Sequence, residues 1–134
     1  MERVESGLLS WVGDTDDRTN PFEVCLGRYV DLEISGNVIG MNALQAIHKT
    51  GPQRHQLGLI LDDDVPMQPH TSPHGIFVDG KKVGDMMNGV WSPRLGRNID
   101  FALISRKLAT VDAVKIQKDG IQVPATLTDL PFYL

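Results

Sequence analysis

A single cysteine, Cys25, stands among 134 residues, so no disulfide can close within the chain. Such a chain suits a reducing compartment. Aromatic residues are scarce at 6%, and none is interleaved with basic ones as a nucleic-acid surface requires. No apolar run approaches the roughly 20 residues of a membrane helix. Residues 1–14 also lack the basic start and apolar centre of a secretory signal. There is no glycine-rich phosphate loop, no low-complexity tract and no repeat of fixed period. The expectation is a soluble cytoplasmic protein without nucleic-acid, membrane or metal partners.

With 41% hydrophobic and 22% charged residues, the composition is that of a globular chain with a core. Its net charge of −4 is unevenly divided. Residues 1–64 carry eleven acidic and five basic side chains, whereas residues 65–134 carry six acidic and eight basic. That asymmetry suggests two parts.

In the first part, Met1–Glu5 reads as the tail of a helix. Leu8, Leu9, Trp11 and Val12 form a short apolar run, and 14–21 reads as a polar loop closed by Asn20-Pro21. Residues 22–34 read as a strand, with β-branched and aromatic residues in the second half. Met41, Leu44 and Ile47 then recur at helical spacing, and Gly51-Pro52 stops that helix. About fifty residues of this kind bury little by themselves, so a layer of partners is expected to cover them.

The second part is a series of short strands. Leu57–Leu61 is a continuous apolar run. Residues 76–83 and 115–123 read as hairpins, because Asp79-Gly80 and Asp119-Gly120 supply the positive φ of a primed turn. Residues 99–105 and 111–116 add further strands. Five or six strands at this spacing suggest a small barrel or sandwich.

Few residues suggest chemistry. His70 and His74 are four apart, but Pro66, Pro69 and Pro73 forbid the helix that would align them, so they read as loop histidines. Asp62-Asp63-Asp64 lacks the alternation of a calcium loop and reads as a solvated strand end. Cys25 reads as a small buried hydrophobe. Ser92 precedes Pro93 without a nucleophile elbow. Arg3 and Glu5 alternate around Val4, which permits either a ligand-directed guanidinium or a surface ion pair. Trp11 and Trp91 could each lie against a flat heterocycle or pack in a core.

Arg3-Val4-Glu5-Ser6-Gly7-Leu8, followed by Asp14 and then Pro21-Phe22-Glu23-Val24-Cys25-Leu26, resembles the aminomethyltransferase (glycine cleavage T-protein) family, in its R-x-E-x-G-L segment and P-x-E-x-x-L. Ile39-Gly40-Met41-Asn42-Ala43-Leu44 is similar to the family's I-G-x-x-A-L helix start. Val83-Gly84, Ser92-Pro93-Arg94-Leu95, Asn98-Ile99 and Ala102 are similar to its later V-G, S-P-x-L and N-I-x-x-A pieces. Leu130-Pro131-Phe132 matches its usual ending. At Met86-Met87-Asn88-Gly89 the chain departs from the family's valine, threonine and serine.

The resemblance implies an α+β, mostly β chain. Residues 1–52 would end a ferredoxin-like folate-binding domain, a partial α/β layer, and residues 53–134 would form the small C-terminal β-barrel. It implies tetrahydrofolate as cofactor and one-carbon transfer to it, with demethylation of dimethylsulfoniopropionate or aryl methyl ethers as the activity of relatives. A non-catalytic module docking on a partner chain is the other reading. By the resemblance Arg3 and Trp11 would contact folate or a small methylated substrate. A tyrosine beyond the terminal P-F contacts ligand in the family, and Tyr133 stands near that place. The family's catalytic aspartate and most pterin contacts precede R-x-E-x-G-L. The chain is therefore expected to be inactive alone, either truncated or completed by a separate chain that supplies the missing N-terminal domains.

Overall fold

A computed structural model describes residues 2–68, 72–86, 88–108 and 110–132. The chain opens with one helical turn, α1 (Glu2–Glu5), and α2 follows at Met41–Thr50. From there the structure is strands: β1 (Arg54–Leu61), β2 (His74–Val78), β3 (Lys81–Met86), β4 (Val90–Ser92), β5 (Arg97–Ser105), β6 (Ala113–Lys118) and β7 (Ile121–Thr128). All pairings are antiparallel, in the order β3-β2-β6-β7-β1-β5-β4.

Both Asp-Gly hairpins form as the sequence predicts. Asp79 and Gly80 take φ of 48° and 75°, and Asp119 and Gly120 take 49° and 82°. Positive φ at both central residues gives a turn whose twist matches the flanking strands. Between Ile76 and Phe77 the β2–β3 register shifts, so Val83 is the extra residue of a bulge.

The sheet curls into an open barrel, bringing β3 against β5. Gly84 makes that approach possible, since a Cβ there would stand 2.9 Å from the Leu103 carbonyl oxygen. One face of the curled sheet encloses the main core, with Leu59, Leu61, Ile76, Ile104 and Ile116 fully buried. The other face of β1 and β5 carries a second cluster, in which Val4, Ile99, Phe101 and Phe132 pack together. Through Val4, α1 is anchored on β5. Asn98 and Asp100 face the interior near one barrel end and hold loops there. Asn98 accepts the Met67 N–H at 2.8 Å, and Asp100 accepts the Asn88 N–H at 2.8 Å.

Residues 22–34 do not form a strand. Asn20 Oδ1 accepts the Phe22 and Glu23 N–H groups, and Leu26 N–H returns to the Pro21 carbonyl. Cys25 takes φ 62°, and a 3-10 turn follows at Gly27–Tyr29. The Asn-Pro turn chemistry outweighs the strand propensity that follows it. Helix α2 has the expected bounds, closed by Gly51 N–H on the Ile47 carbonyl. None of its residues is buried. Ile39, just before it, is fully exposed, and Tyr29, Ile34 and Val38 are exposed too. No described helix is long and apolar enough to cross a membrane.

Candidate functional site

Asp14 organises the loop after α1. Its carboxylate is 1% exposed and meets the Arg3 Nη1, which also donates to the Leu8 carbonyl at 3.0 Å. Ser10 donates to it through its N–H at 2.7 Å and its hydroxyl at 3.1 Å, and the Asn88 side-chain amide donates at 3.1 Å. A buried carboxylate is tolerated only with such a set of donors. The Arg3 guanidinium also lies 5.9 Å from the Phe101 ring centroid, within cation–π range.

The loop then turns tightly. Val12 takes φ 71°, unusual for a β-branched residue, and its N–H donates to the Thr15 carbonyl at 2.7 Å. Trp11 is bridged to Thr15 and is 68% exposed. Asp16 closes a second turn by accepting the Arg18 N–H at 2.9 Å and the Arg18 guanidinium. The Arg18 guanidinium is the largest influence holding the Asp16 carboxyl at about 2.

Between this loop and the barrel lies a cavity of about 390 Å³. The loop contributes Val12 to Asp16, Arg18 and Thr19. The barrel contributes Arg54, Gln56, Val83, Gly84, Asp85, Phe101 and Leu103. Carboxylates, guanidinium groups, hydroxyls and an amide thus ring an aromatic floor. Such a lining suits orienting a small polar ligand with a flat apolar part.

Arg54 crosses from β1 to the loop. Its Nε and Nη2 donate to the two Glu23 carboxylate oxygens at 2.9 and 2.8 Å, and Nη2 also donates to the Arg18 carbonyl at 3.1 Å. Glu23 is 3% exposed. Burial pushes its carboxyl up, but the Arg54 fork and the Asn20 N–H outweigh that and leave it below its ordinary value.

Arg3 does not line the cavity itself but holds Asp14 and Phe101, which do. Trp11 sits exposed beside Val12 at the rim. The Arg3–Glu5 surface pair allowed by the sequence does not form. Both lie on the helical turn α1, where neighbours two apart diverge. Arg3 goes to Asp14, whereas Glu5 accepts the buried Ser92 hydroxyl. Cys25 is exposed rather than buried, because the turn at 21–25 lifts it outward. What burial its thiol has pushes its pKa up, as does the Asp129 charge. Of the aspartate triplet, Asp63 pairs with Lys118 and Asp64 with Arg97, and Asp62 is exposed at the strand end. His70 and Tyr133 lie outside the described residues. Among the described residues no three His, Cys, Asp or Glu side chains gather as a metal site.

Residues 54–133 match the family described as the glycine cleavage T-protein C-terminal barrel domain. The chain belongs to that family. Its similarity to curated relatives extends beyond the barrel. An aminomethyltransferase of Nostoc sp. (strain PCC 7120) is 34% identical over 134 residues, covering 98% of this chain and 34% of the relative. An aminomethyltransferase of Xanthomonas campestris pv. campestris is 27% identical, covering 97% of this chain and 34% of the relative. The chain therefore spans about a third of the length of the curated relatives it matches. In fold it resembles the crystal structure of glycine cleavage system aminomethyltransferase T from Bartonella henselae. The TM-score is 0.85 at 20% identity, over 98% of this chain and 37% of that one.

Asp14, Glu23, Arg54 and Asn88 did not emerge from the sequence as site candidates. Asp14 and Glu23 stand in the family-like segments, which was the available signal. Arg54 and Asn88 reach them across 31 and 74 positions, a distance no local pattern encodes.

Proposed function

We propose that this chain is the C-terminal portion of a tetrahydrofolate-dependent aminomethyltransferase-type protein, which transfers one-carbon units to folate and is inactive without the groups of the remaining portion. The observation that carries the reading is the anchored Arg3 beside the cavity. Its Nη1 is taken by Asp14 and Leu8, while no bond occupies the other edge of the guanidinium among the described residues. A guanidinium fixed in this way can fork onto a ligand carboxylate with little further ordering. Folate carries such carboxylates together with a flat pterin, and the exposed Trp11 ring offers a face for stacking. Bound tetrahydrofolate would supply the amine that accepts the one-carbon unit. Arg3 and Trp11 are assigned to its binding, and no catalytic residue is assigned within this chain.

In the same reading, residues 1–52 close a ferredoxin-like layer that another polypeptide segment completes. The uncovered apolar residues of 26–47 favour this, since a face of that kind normally lies against a partner.

The test is a transfer assay with tetrahydrofolate and a methylamine donor. Alone, the chain should give no turnover. Mixed with a polypeptide covering the remaining two-thirds of an aminomethyltransferase, it should associate and restore transfer. Turnover by the chain alone, or a mixture that neither associates nor reacts, would contradict the proposal.

A further inference from the structure

The loop that walls the cavity is held from two sides. At its near end Asp14 gathers Arg3, Ser10 and Asn88. At its far end Arg54 of β1 binds both the Arg18 carbonyl and the Glu23 carboxylate. Arg54 spends its fork on Glu23 and its remaining bond on the carbonyl of Arg18, in the turn capped by Asp16 and Thr19. Glu23 in turn accepts the Asn20 N–H with Oε2, and its carbonyl accepts the Gln56 N–H of β1 at 2.8 Å. Arg54 and Gln56 both line the cavity. The pair thus sits where β1, the rim loop and the cavity wall meet.

We infer that Glu23 and Arg54 are a positioning pair, which holds the rim loop Asp14–Thr19 in its ligand-receiving geometry and so sets affinity at the cavity without touching the ligand's reacting atoms. The fork is what makes it specific. A lysine at 54 keeps the charge but cannot bond both Glu23 oxygens and the Arg18 carbonyl in one plane. A glutamine at 23 keeps the shape but takes the charge from the fork, so the half-exposed Arg54 guanidinium turns to solvent more readily. Either change loosens the loop while leaving both core clusters, built on other residues, intact.

The inference that affinity is affected rests on the folate reading of the cavity. The statement about the loop does not. The experiment therefore has two readouts on the full chain. Amide hydrogen exchange should rise about tenfold or more at residues 16–20 in Glu23→Gln and Arg54→Lys, with β5 and β7 unchanged. Tetrahydrofolate affinity should fall about fivefold or more in the same variants. Asp63→Asn, which breaks a different ion pair away from the cavity, controls for general destabilisation and should alter neither. Unchanged loop exchange in both variants would overturn the inference, as would a rise spread equally over β5 and β7. Loosened loops with undiminished tetrahydrofolate affinity would overturn its affinity half. Wild-type protein that binds no tetrahydrofolate, with loop exchange still confined to 16–20, would uphold the positioning and overturn the folate reading alone.

Discussion

Arg3, Ser10 and Asn88 converge on Asp14 from 11, 4 and 74 positions away, and that convergence defines the near wall of the cavity. Removing the Asp14 charge leaves Arg3 without its anchor and Asn88 with a weakened acceptor. Asp14→Asn should cost about 2–3 kcal/mol of stability, because a buried, charge-assisted network is disrupted. Chemical denaturation measures this, and a loss below about 0.5 kcal/mol would mean the node is a surface ornament. Asp63 illustrates a simpler case. The Lys118 ammonium and then the Val65 N–H hold its carboxyl below the usual range, against burial. A carboxyl depressed in the folded state stabilises above its unfolded pKa, and that contribution disappears as pH falls through the folded value. Asp63→Asn should therefore lose about 1 kcal/mol near neutrality, a deficit that shrinks as the pH falls below the ordinary carboxylate range. A deficit that persists in acid would contradict the assignment. Single residues of this kind were only partly legible. Asp14 stood in a recognisable segment, but its partners lie on separate elements, and nothing local announces that Arg54 will find Glu23.

The elements divide sharply in how well the sequence revealed them. Val114 and Ile116, and Val123, Ala125 and Leu127, alternate with exposed neighbours, so β6 and β7 could be read from periodicity, with Asp119-Gly120 between them. The three-residue β4 was missed, because Val90–Ser92 is too short to establish a period. Residues 22–34 failed for the opposite reason. Their composition favours a strand, but a strand needs a neighbour, and the Asn20 turn leads the chain away from the sheet. Helix α2 was read correctly from its spacing, yet its apolar side rests on no buried core. That uncovered face should make the isolated chain self-associate. Sedimentation should show concentration-dependent oligomers, and Ile39→Lys with Leu44→Lys should shift them toward monomer without unfolding the barrel. A compact wild-type monomer at high concentration would contradict this.

As a whole molecule, the chain is a curled antiparallel barrel whose β1 and β5 carry the loop segment on their outer face. The barrel has its own core, so its fold follows from local strand and turn chemistry. The segment before it borrows stability through a few anchors: Val4 on β5, Asp14 on Asn88 and Glu23 on Arg54. This difference explains why the barrel was the more legible part and the cavity the less legible one. The cavity exists only where the two parts meet, and each contributes half of its wall.

Titrating tetrahydrofolate into the purified chain, followed by tryptophan fluorescence from Trp11 and Trp91, tests whether the anchored Arg3 receives a folate carboxylate. Weak, saturable quenching is expected, with Arg3→Ala weakening the apparent affinity by about tenfold, the loss of one charge-assisted contact. No saturable change at any soluble concentration, or binding indifferent to Arg3→Ala, would contradict that role of Arg3.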